Sequence, residues 1–538
     1  MLSESPTITD AQAELASEVA RRRTFAIISH PDAGKTTLTE KLLLYAGAVE
    51  QAGSVRTRKQ QRHATSDWMA MERERGISIS STVLQFSYQD HRFNLLDTPG
   101  HQDFSEDTYR TLMAVDSAIM VLDRANGIEP QTLKLFAVCR QRNIPILTFI
   151  NKMDREGRDP LDLLDEIERV LGISAVPMTW PISTDGVFQG VYDLQRHQVI
   201  LFERTVGGQF RAPVQVRDSS DPLLHDLIGA AAVAQLHDDV ALLSAAGTRF
   251  DREAFLAGTS TPVFFGSAVN NFGVEPFLEA LIELAPPPQA RMTSQGLVEP
   301  TEPFFLGFVF KIQANMDPNH RDRMAFLRVC AGHFQKDMQV IHGRLGRTIR
   351  MARPHRLFAR ERETIDDAFP GDVIGLSNPG LFQIGDTVCS RDGRQIAALP
   401  RFQPEQFARL HNQQVAKQKQ FTKGLTQLEE EGVIQILYAV SGGVRAPILG
   451  AVGALQFDVV QARLQLEYGV ETNLEPLSYT AARWISGPPA AIDGALSSTR
   501  WLHVQDHRQQ SVLLFNTAWD LNYCMQQNPA VVFATEGQ

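Results

Sequence analysis

The segment that most constrains the fold is residues 29–36, which read Ser-His-Pro-Asp-Ala-Gly-Lys-Thr. It follows the apolar run 25–28 and precedes the helical spacing of Leu38, Leu42 and Tyr45, so it predicts a strand, a tight loop and a helix. A loop of this kind directs backbone N–H groups at bound anions. We therefore predict a phosphate-binding loop made of Ser29, His30, Pro31, Asp32, Ala33, Gly34, Lys35 and Thr36.

Three positions in that loop have separate chemical tasks. Gly34 allows the backbone to approach a phosphate closely, the Lys35 ammonium reaches the β- and γ-phosphates, and the Thr36 hydroxyl is a ligand for Mg²⁺. Ser29 stands where the pattern GxxxxGK[ST] has glycine, and a small residue still fits there. The alternative is a surface turn that happens to contain Gly-Lys-Thr, and it does not account for the strand and helix on either side.

A second segment, residues 97–101 (Asp-Thr-Pro-Gly-His), follows the apolar run 93–96. The Asp97 carboxylate can hold a water on Mg²⁺, and Gly100 can offer its N–H to the γ-phosphate, so loss of that phosphate would release the following loop. A histidine such as His101 can orient an attacking water near neutral pH, although spacing alone equally allows a solvated loop histidine. The predicted contacts here are Asp97, Thr98, Pro99, Gly100 and His101.

A third segment, residues 151–154 (Asn-Lys-Met-Asp), follows the apolar run 146–150. The Asp154 carboxylate can accept the N1–H and 2-amino hydrogens of guanine, a pair that adenine lacks, so it would separate GTP from ATP. Residues 266–268 follow another apolar run and would supply a backbone N–H to the guanine O6. The predicted base site, with GTP or GDP as ligand, is Asn151, Lys152, Met153, Asp154, Ser267 and Ala268.

Apolar runs and amphipathic patterns alternate through residues 22–290. This alternation predicts an α/β fold, namely a P-loop GTPase domain with a doubly wound, mostly parallel sheet. Residues 176–260 fit the alternation less well, and we interpret them as an insertion. The strand candidates are residues 25–28, 93–96, 118–122, 146–150 and 262–265.

Residues 285–288 (Ala-Pro-Pro-Pro) form the clearest linker, because consecutive prolines stiffen the chain and exclude helix. Beyond it, short β-like runs with glycine turns predict a β-barrel domain II at 300–398. After Pro400 and Pro404, helix and strand patterns predict an α+β sandwich, domain III, at 403–538, with no internal repeat apparent. Residues 1–21 are an N-terminal extension.

The composition excludes several classes of protein. The net charge of −10 argues against binding nucleic acid through bulk positive charge. The four cysteines are scattered without metal-ligand spacing, which predicts reduced thiols in a cytoplasmic protein. No apolar run approaches the length of a membrane span, and acidic residues precede Arg21 at the N-terminus, the wrong order for a targeting signal.

Residues 66–79 (Ser-Asp-Trp-Met-Ala-Met-Glu-Arg-Glu-Arg-Gly-Ile-Ser-Ile) resemble the first switch of translational GTPases, and residues 97–101 resemble their second switch. The family's histidine in the second switch activates the hydrolytic water, so the resemblance implies a catalytic role for His101. The family usually has threonine where Ser78 stands, and serine keeps the hydroxyl. The implied Mg²⁺ ligands are Thr36, Ser78 and Asp97.

Within these GTPases, the sequence is most similar to the bacterial peptide chain release factor three family, which acts in translation termination. Residues 28–37 resemble the P-loop of that family, residues 308–323 the start of its second domain, and residues 452–460 its third domain. The resemblance extends from about Arg22 to the region of Trp484.

The resemblance implies a monomeric, GTP-hydrolysing factor that binds ribosomal RNA and ribosomal proteins and promotes the dissociation of stop-codon-reading release factors after peptide release. Residues 311–362 hold twelve Lys and Arg against four Asp and Glu, a local charge that fits contact with ribosomal RNA. One alternative is another translational GTPase, such as a ribosome-protection factor, which the short C-terminal part disfavours. The other is a GTP-dependent binding module with incidental hydrolysis, which His101 and the complete switch elements disfavour.

Overall fold

The computed structural model describes residues 8–48, 72, 78–203, 210–247, 249–314, 323–358, 361–378, 380–397, 403–440 and 446–535. Several predicted features lie partly outside the described residues, including 1–7 of the N-terminal extension, 66–71 and 73–77 of the first-switch segment, 204–209 and 248 of the insertion, 315–322 of the domain II motif, and the boundary at Pro400. Among the helices that the structure describes, none is both long and apolar enough to cross a membrane. All four cysteines are buried and free, as the sequence predicted for reduced thiols.

The N-terminal region is built on the predicted, mostly parallel sheet. Neighbouring strands within it run parallel, except for the hairpin at one edge. Ile27 is paired with Asp97 and Asp123 with Asn151, so the carboxyl ends of these strands meet at one edge, where open α/β sheets bind ligands. In spatial order the strands are Thr82–Tyr88, His91–Asp97, Arg22–Ser29, Ser117–Asp123, Ile146–Asn151, Ser260–Phe265 and Ser174–Pro177.

Helices cover both faces of this sheet. Phe25 and Ile27 belong to one apolar core, whereas Ala26 and Ile28 belong to another, because successive side chains of a strand point to opposite faces. The doubly wound arrangement is therefore confirmed. The helices are Ile8–Ala20, Lys35–Tyr45, Ser105–Leu112, Pro130–Gln141, Pro160–Glu166 and Val274–Leu284, with a 3₁₀ turn at Gln102–Phe104 and a π turn at Ile167–Leu171.

The predicted insertion forms an antiparallel sheet with helices on it, and it begins later than expected because Ser174–Pro177 belongs to the parallel sheet. Trp180 packs edge-on against Phe265, with ring centroids 5.5 Å apart, and Phe202 stacks on Phe272 at 5.1 Å. The insertion thus supports the segment that contains residues 266–272. Its elements are the strands Thr179–Thr184, Val187–Asp193, Gln198–Phe202 and Val214–Asp218, and the helices Leu224–Ile228, Ala230–Ala246 and Arg252–Leu256.

An antiparallel, barrel-like β-region follows the proline linker, as predicted. It is joined to the N-terminal sheet through pairing of Phe358 with Leu84, and a buried ion pair between Arg328 and Asp116 crosses the junction at 2.5 Å. Its strands are Leu306–Ala314, Arg323–Ala331, Phe334–Gln335, Gln339–His342, Arg347–Arg350, Pro354–Phe358, Glu361–Thr364, Asp367–Ala368, Val373–Ser377 and Thr387–Cys389; a hairpin, Arg291–Thr293 with Gly296–Val298, precedes them.

The local excess of cations in residues 311–362 does not form an open positive patch among the described residues. Lys311 and Arg328 are buried. The fold brings acidic residues close to most of the other described cations, and four of these acids lie outside residues 311–362. The ion pairs are Arg323–Glu430, Lys336–Asp366, Arg344–Asp386, Arg350–Asp337 and Arg356–Glu363.

The C-terminal region is an α+β sandwich, and it contains a repeat that the sequence did not reveal. Each half has the order strand, helix, strand, strand, helix, strand, the split βαβ arrangement. Pairing of Tyr438 with Gln505 joins the halves into one eight-stranded sheet. The first half is Gln406–Asn412, Gln418–Glu430, Gln435–Ala439, Ile448–Ala451, Ala454–Tyr468 and Thr472–Leu477; the second is Ala481–Ser486, Pro489–Leu496, Leu502–Gln505, Ser511–Phe515, Ala518–Gln527 and Val532–Ala534.

Candidate nucleotide site

The predicted phosphate loop lies between a buried strand and a helix, as its sequence pattern requires. Gly34 has φ 100° and immediately precedes the helix Lys35–Tyr45. A Cβ at Gly34 would overlap the side-chain amide of Asn151, so glycine is needed both for the backbone angle and for the close approach. The N–H groups of the first helical turn have no partner within the helix, so this turn can bind an anion.

The loop lysine contacts the second predicted segment directly. Lys35 is buried, and its Nζ lies 2.8 Å from Asp97 Oδ1 and 3.5 Å from Ser78 Oγ. Gly100 is so close to the loop that a Cβ there would contact Pro31. The structure therefore brings the phosphate loop, the end of the strand His91–Asp97 and the Ser78 segment to one point.

The oxygen donors at this point fit Mg²⁺. Asp97 Oδ2 is buried and has no hydrogen-bond partner among the described residues. The half-buried Thr36 begins the helix beside Lys35, and Ser78 supplies a further hydroxyl. Mg²⁺ prefers oxygen ligands and commonly uses one or two protein carboxylates together with substrate phosphates and waters. The carboxylate of Asp97 and the hydroxyls of Thr36 and Ser78 supply protein oxygens of this kind.

Asn151 connects the phosphate loop to the segment after the strand Ser260–Phe265. Its Nδ2 donates to Ala33 O at 2.9 Å, and its Oδ1 accepts from Ala268 N at 2.9 Å. Ser267 Oγ donates to Asp154 Oδ1 at 2.5 Å. Asn151 and Asp154, which come from one segment, are thus both fixed by residues 267–268.

Backbone N–H groups in this segment already have acceptors within the protein. Gly266 N donates to Ile150 O, Ser267 N donates to Phe272 O, and Ala268 N donates to Asn151 Oδ1. In this arrangement the segment orients Asn151 and Asp154. Donation of an N–H to the guanine O6 stays a prediction.

Lys152 and Met153 connect the motif to neighbouring parts of the sheet edge. Lys152 has φ 64°, and its Nζ lies 2.7 Å from Asp123 Oδ2. Met153 is buried, and its N–H donates to Gly266 O. The sequence analysis did not identify Asp123 as part of the site. Its position at the end of a neighbouring parallel strand would have indicated that it lies beside Lys152.

His101 lies at the edge of the site, with a third of its side chain exposed. Its Nδ1 accepts from Asp103 N at 3.3 Å and lies 3.4 Å from Asp103 Oδ1. Sequence reasoning also missed Asp103, as well as Glu129, whose carboxylate lies 3.3 Å from His30 Nε2. The contact between His101 and Asp103 is a local cap of the 3₁₀ turn Gln102–Phe104, whereas the contact between His30 and Glu129 joins residues about a hundred positions apart and has no spacing rule.

Three further charged groups lie close to the Ser78 segment. Lys311 Nζ, from the barrel-like region, donates to Ser81 O at 2.5 Å and lies 3.5 Å from Asp107 Oδ2. Burial raises the pKa of Asp107, but Lys311 and the Ser81 donors outweigh burial and hold that pKa below its usual value. Burial lowers the pKa of Lys311 despite the nearby carboxylate. Glu72 Oε1 accepts from Ile79 N and Ser80 N, at 3.0 and 3.2 Å.

Comparison with known families matches every large region of the chain. Residues 20–287 match the GTP-binding domain of elongation factor Tu, and residues 304–391 match domain 2 of elongation factor G. Residues 397–525 match the C-terminal domain of the class II release factor RF3. A crystal structure of a Thermus thermophilus protein, 21% identical, superposes with a TM-score of 0.68 over 90% of this chain and 72% of its own, which shows a shared fold.

Curated relatives match over nearly the whole length. Peptide chain release factor 3 of Gloeobacter violaceus is 56% identical over 96% of this chain and 98% of its own. The same factor of Synechococcus elongatus is 56% identical over 97% and 94%, and that of a Cyanothece species is 55% identical over 97% and 96%. The resemblance to translational GTPases is confirmed. The chain is a GTPase and belongs to the peptide chain release factor 3 family.

Proposed function

We propose that this GTPase binds the ribosome and uses GTP to promote the departure of stop-codon-reading release factors after peptide release. Two observations support the proposal: three candidate nucleotide motifs meet at one sheet edge, and relatives match nearly the whole length of the chain. We further propose that the protein acts as a monomer in the cytoplasm, with domains at 22–290, 300–398 and 403–538.

We assign the phosphate chemistry to residues around Lys35. The Lys35 ammonium and the N–H groups that open its helix would hold the β- and γ-phosphates. Thr36, Ser78 and Asp97, directly or through water, would hold Mg²⁺, and the metal ion would neutralise charge that develops on the phosphate oxygens. Hydrolysis joins a water oxygen to the γ-phosphorus and breaks its bond to the β–γ bridging oxygen, giving GDP and inorganic phosphate.

We assign the attacking water to His101. The backbone N–H of Asp103 occupies Nδ1 of its ring, so Nε2 is the nitrogen left to contact the water. Gly100, beside Pro31, would bind the γ-phosphate through its N–H. Orientation of the water and binding of the γ-phosphate would thus come from adjacent residues.

Base selection gives a direct test of the Asp154 assignment. We expect Asp154→Asn to lower GTP affinity and to shift preference towards xanthosine triphosphate, because an amide can donate to the 2-oxo group that xanthine carries. A site built to hydrogen-bond one base rejects a base that leaves its polar groups unpaired by roughly 10⁴-fold. The variant should therefore bind xanthosine triphosphate more tightly than GTP. Competition binding of the two nucleotides measures the change.

The exposed Asp226, in the helix Leu224–Ile228 of the insertion, provides a matched control, and Asp226→Asn should keep the original preference for GTP. If Asp154→Asn also retained that preference, Asp154 would not contact the base.

The proposed role in termination can be tested by measuring how fast another release factor dissociates from the ribosome. On ribosomes that have already released their peptide, the protein with GTP should speed the dissociation of a labelled stop-codon-reading factor. GTP would order the segments around Ser78 and Gly100, and the ordered form must favour a ribosome conformation that holds the other factor poorly. A stopped-flow record of the label, with GTP, with GDP and without protein, measures the effect.

Peptide release should change little in the same reactions, which makes it the internal control. Equal departure rates in all three reactions would remove the termination assignment, even if GTP hydrolysis were fast.

A further inference from the structure

Asp103 lies between His101 and the C-terminal region. Its Oδ2 accepts a hydrogen bond from Leu455 N at 2.8 Å, in the first turn of the helix Ala454–Tyr468. Its Oδ1 lies 3.4 Å from His101 Nδ1, and its own N–H donates to that nitrogen at 3.3 Å. The Asp103 side chain is 10% exposed. A single buried side chain therefore contacts both the proposed catalytic group and a helix from another region of the chain.

The helix end suits this carboxylate. Its first N–H groups lack partners within the helix, and the helix dipole favours a negative charge there. Gly453 precedes the helix with φ −143°, an angle that any residue adopts. A Cβ on Gly453 would overlap the Asp103 carboxylate, so this glycine provides the space in which the carboxylate lies.

The same helix packs on both of the segments that the proposed function places beside the nucleotide. Val459 forms a small apolar cluster with Ile79 and Phe104. Ile79 follows the proposed metal ligand Ser78, and Phe104 follows Asp103. Seating of the helix is therefore sensitive to the positions of both segments.

We propose that Asp103 is a positioning residue that couples the orientation of His101 to the seating of the helix Ala454–Tyr468 on the nucleotide-binding region. With the helix seated, Leu455 N–H fixes the Asp103 carboxylate, and this keeps Asp103 in the position from which its backbone N–H donates to His101 Nδ1. When the helix moves away, the carboxylate loses its donor and the ring loses a fixed neighbour, so hydrolysis slows. This inference rests on the role that the proposed function gives to His101.

Gly453→Ala tests the coupling without changing Asp103 or His101. The added methyl group should displace the carboxylate and lower single-turnover GTP hydrolysis on saturating ribosomes by about tenfold, a typical coupling between sites. GTP affinity should stay within about twofold, because the substitution is remote from the phosphates and base. Gly494→Ala is the matched control: the nearest described atom to a Cβ there is Asn528 Oδ1, at an ordinary contact distance of 3.7 Å, and its rate should equal that of the unmodified protein.

A double variant shows whether the effect passes through His101. In a chain that already carries His101→Ala, Gly453→Ala should slow hydrolysis no further, because the group that it misplaces is gone. An equal tenfold loss in both backgrounds would overturn the proposal, as would a normal rate for Gly453→Ala. Asp103→Ala, which adds no bulk, should repeat the result if Gly453→Ala is poorly folded by thermal unfolding.

The two proposals fail in different ways. If His101→Ala alone hydrolyses GTP at the normal rate, the catalytic role of His101 is wrong, and the coupling falls with it. If His101→Ala is slow but neither Gly453→Ala nor Asp103→Ala alters the rate, only the coupling is wrong.

Discussion

Replacement of Lys35 by alanine should lower GTP affinity by on the order of a hundredfold or more, because it removes a charge-assisted contact to both the β- and γ-phosphates. The environment of Lys35 adds to this loss. The side chain is buried, and its ammonium lies 2.8 Å from Asp97 Oδ1. Without that cation, the negative charge of the Asp97 carboxylate would be less neutralised, and it would repel the phosphates of an incoming nucleotide. Equilibrium titration with a fluorescent guanine nucleotide, followed by turnover, measures the effect.

Lys134 gives the matched control for this substitution. It is exposed on the helix Pro130–Gln141, and Lys134→Ala should bind and hydrolyse GTP normally. Near-normal turnover of Lys35→Ala at saturating GTP would show that residues 29–36 are not the phosphate loop.

Replacement of His101 by alanine should slow ribosome-stimulated hydrolysis by about a hundredfold or more, in the range that a positioned acid–base group contributes. Nucleotide and ribosome binding should remain, since the imidazole contacts Asp103 and lies at the edge of the site. The expected pattern is therefore a large fall in the single-turnover rate with little change in GTP affinity.

His237, exposed on the helix Ala230–Ala246 of the insertion, is the corresponding control, and His237→Ala should leave the rate unchanged. If His101→Ala instead weakened nucleotide binding and left the chemical step intact, the histidine would have a structural role in its loop.

Local patterns were enough to predict the doubly wound class of the N-terminal region and five of the seven described strands of its sheet. Strand candidates such as residues 118–122 lie inside the strands of the structure, and the helix predicted from Leu38, Leu42 and Tyr45 is Lys35–Tyr45. These predictions succeed because each depends on a short-range period of apolar residues. The structure brings the three nucleotide motifs to one edge of the sheet, because parallel strands present their carboxyl ends there.

Features that depend on distant pairings were not predictable in the same way. The repeat in the C-terminal region is a repeat of element order, which a search for similar residues does not detect. The cations of residues 311–362 appeared available because their acidic partners, such as Asp386 for Arg344, lie elsewhere in the sequence. Asp103 had no recognisable signal because its importance comes from a helix more than three hundred residues later.

The continuous sheet of the C-terminal region has a mechanical consequence. Its eight strands, spaced about 4.8 Å apart, separate the outermost strands Thr472–Leu477 and Val532–Ala534 by roughly 34 Å. An apolar cluster that includes Phe407, Leu437, Trp484 and Val512 spans the boundary between the two halves. The halves should therefore rotate together as one rigid body. A rotation of the sheet by about 5° about its Ala454–Tyr468 end would then move the strand Val532–Ala534 by about 3 Å. A small movement beside the candidate nucleotide site would thus become a displacement about as large as a water molecule at the far edge.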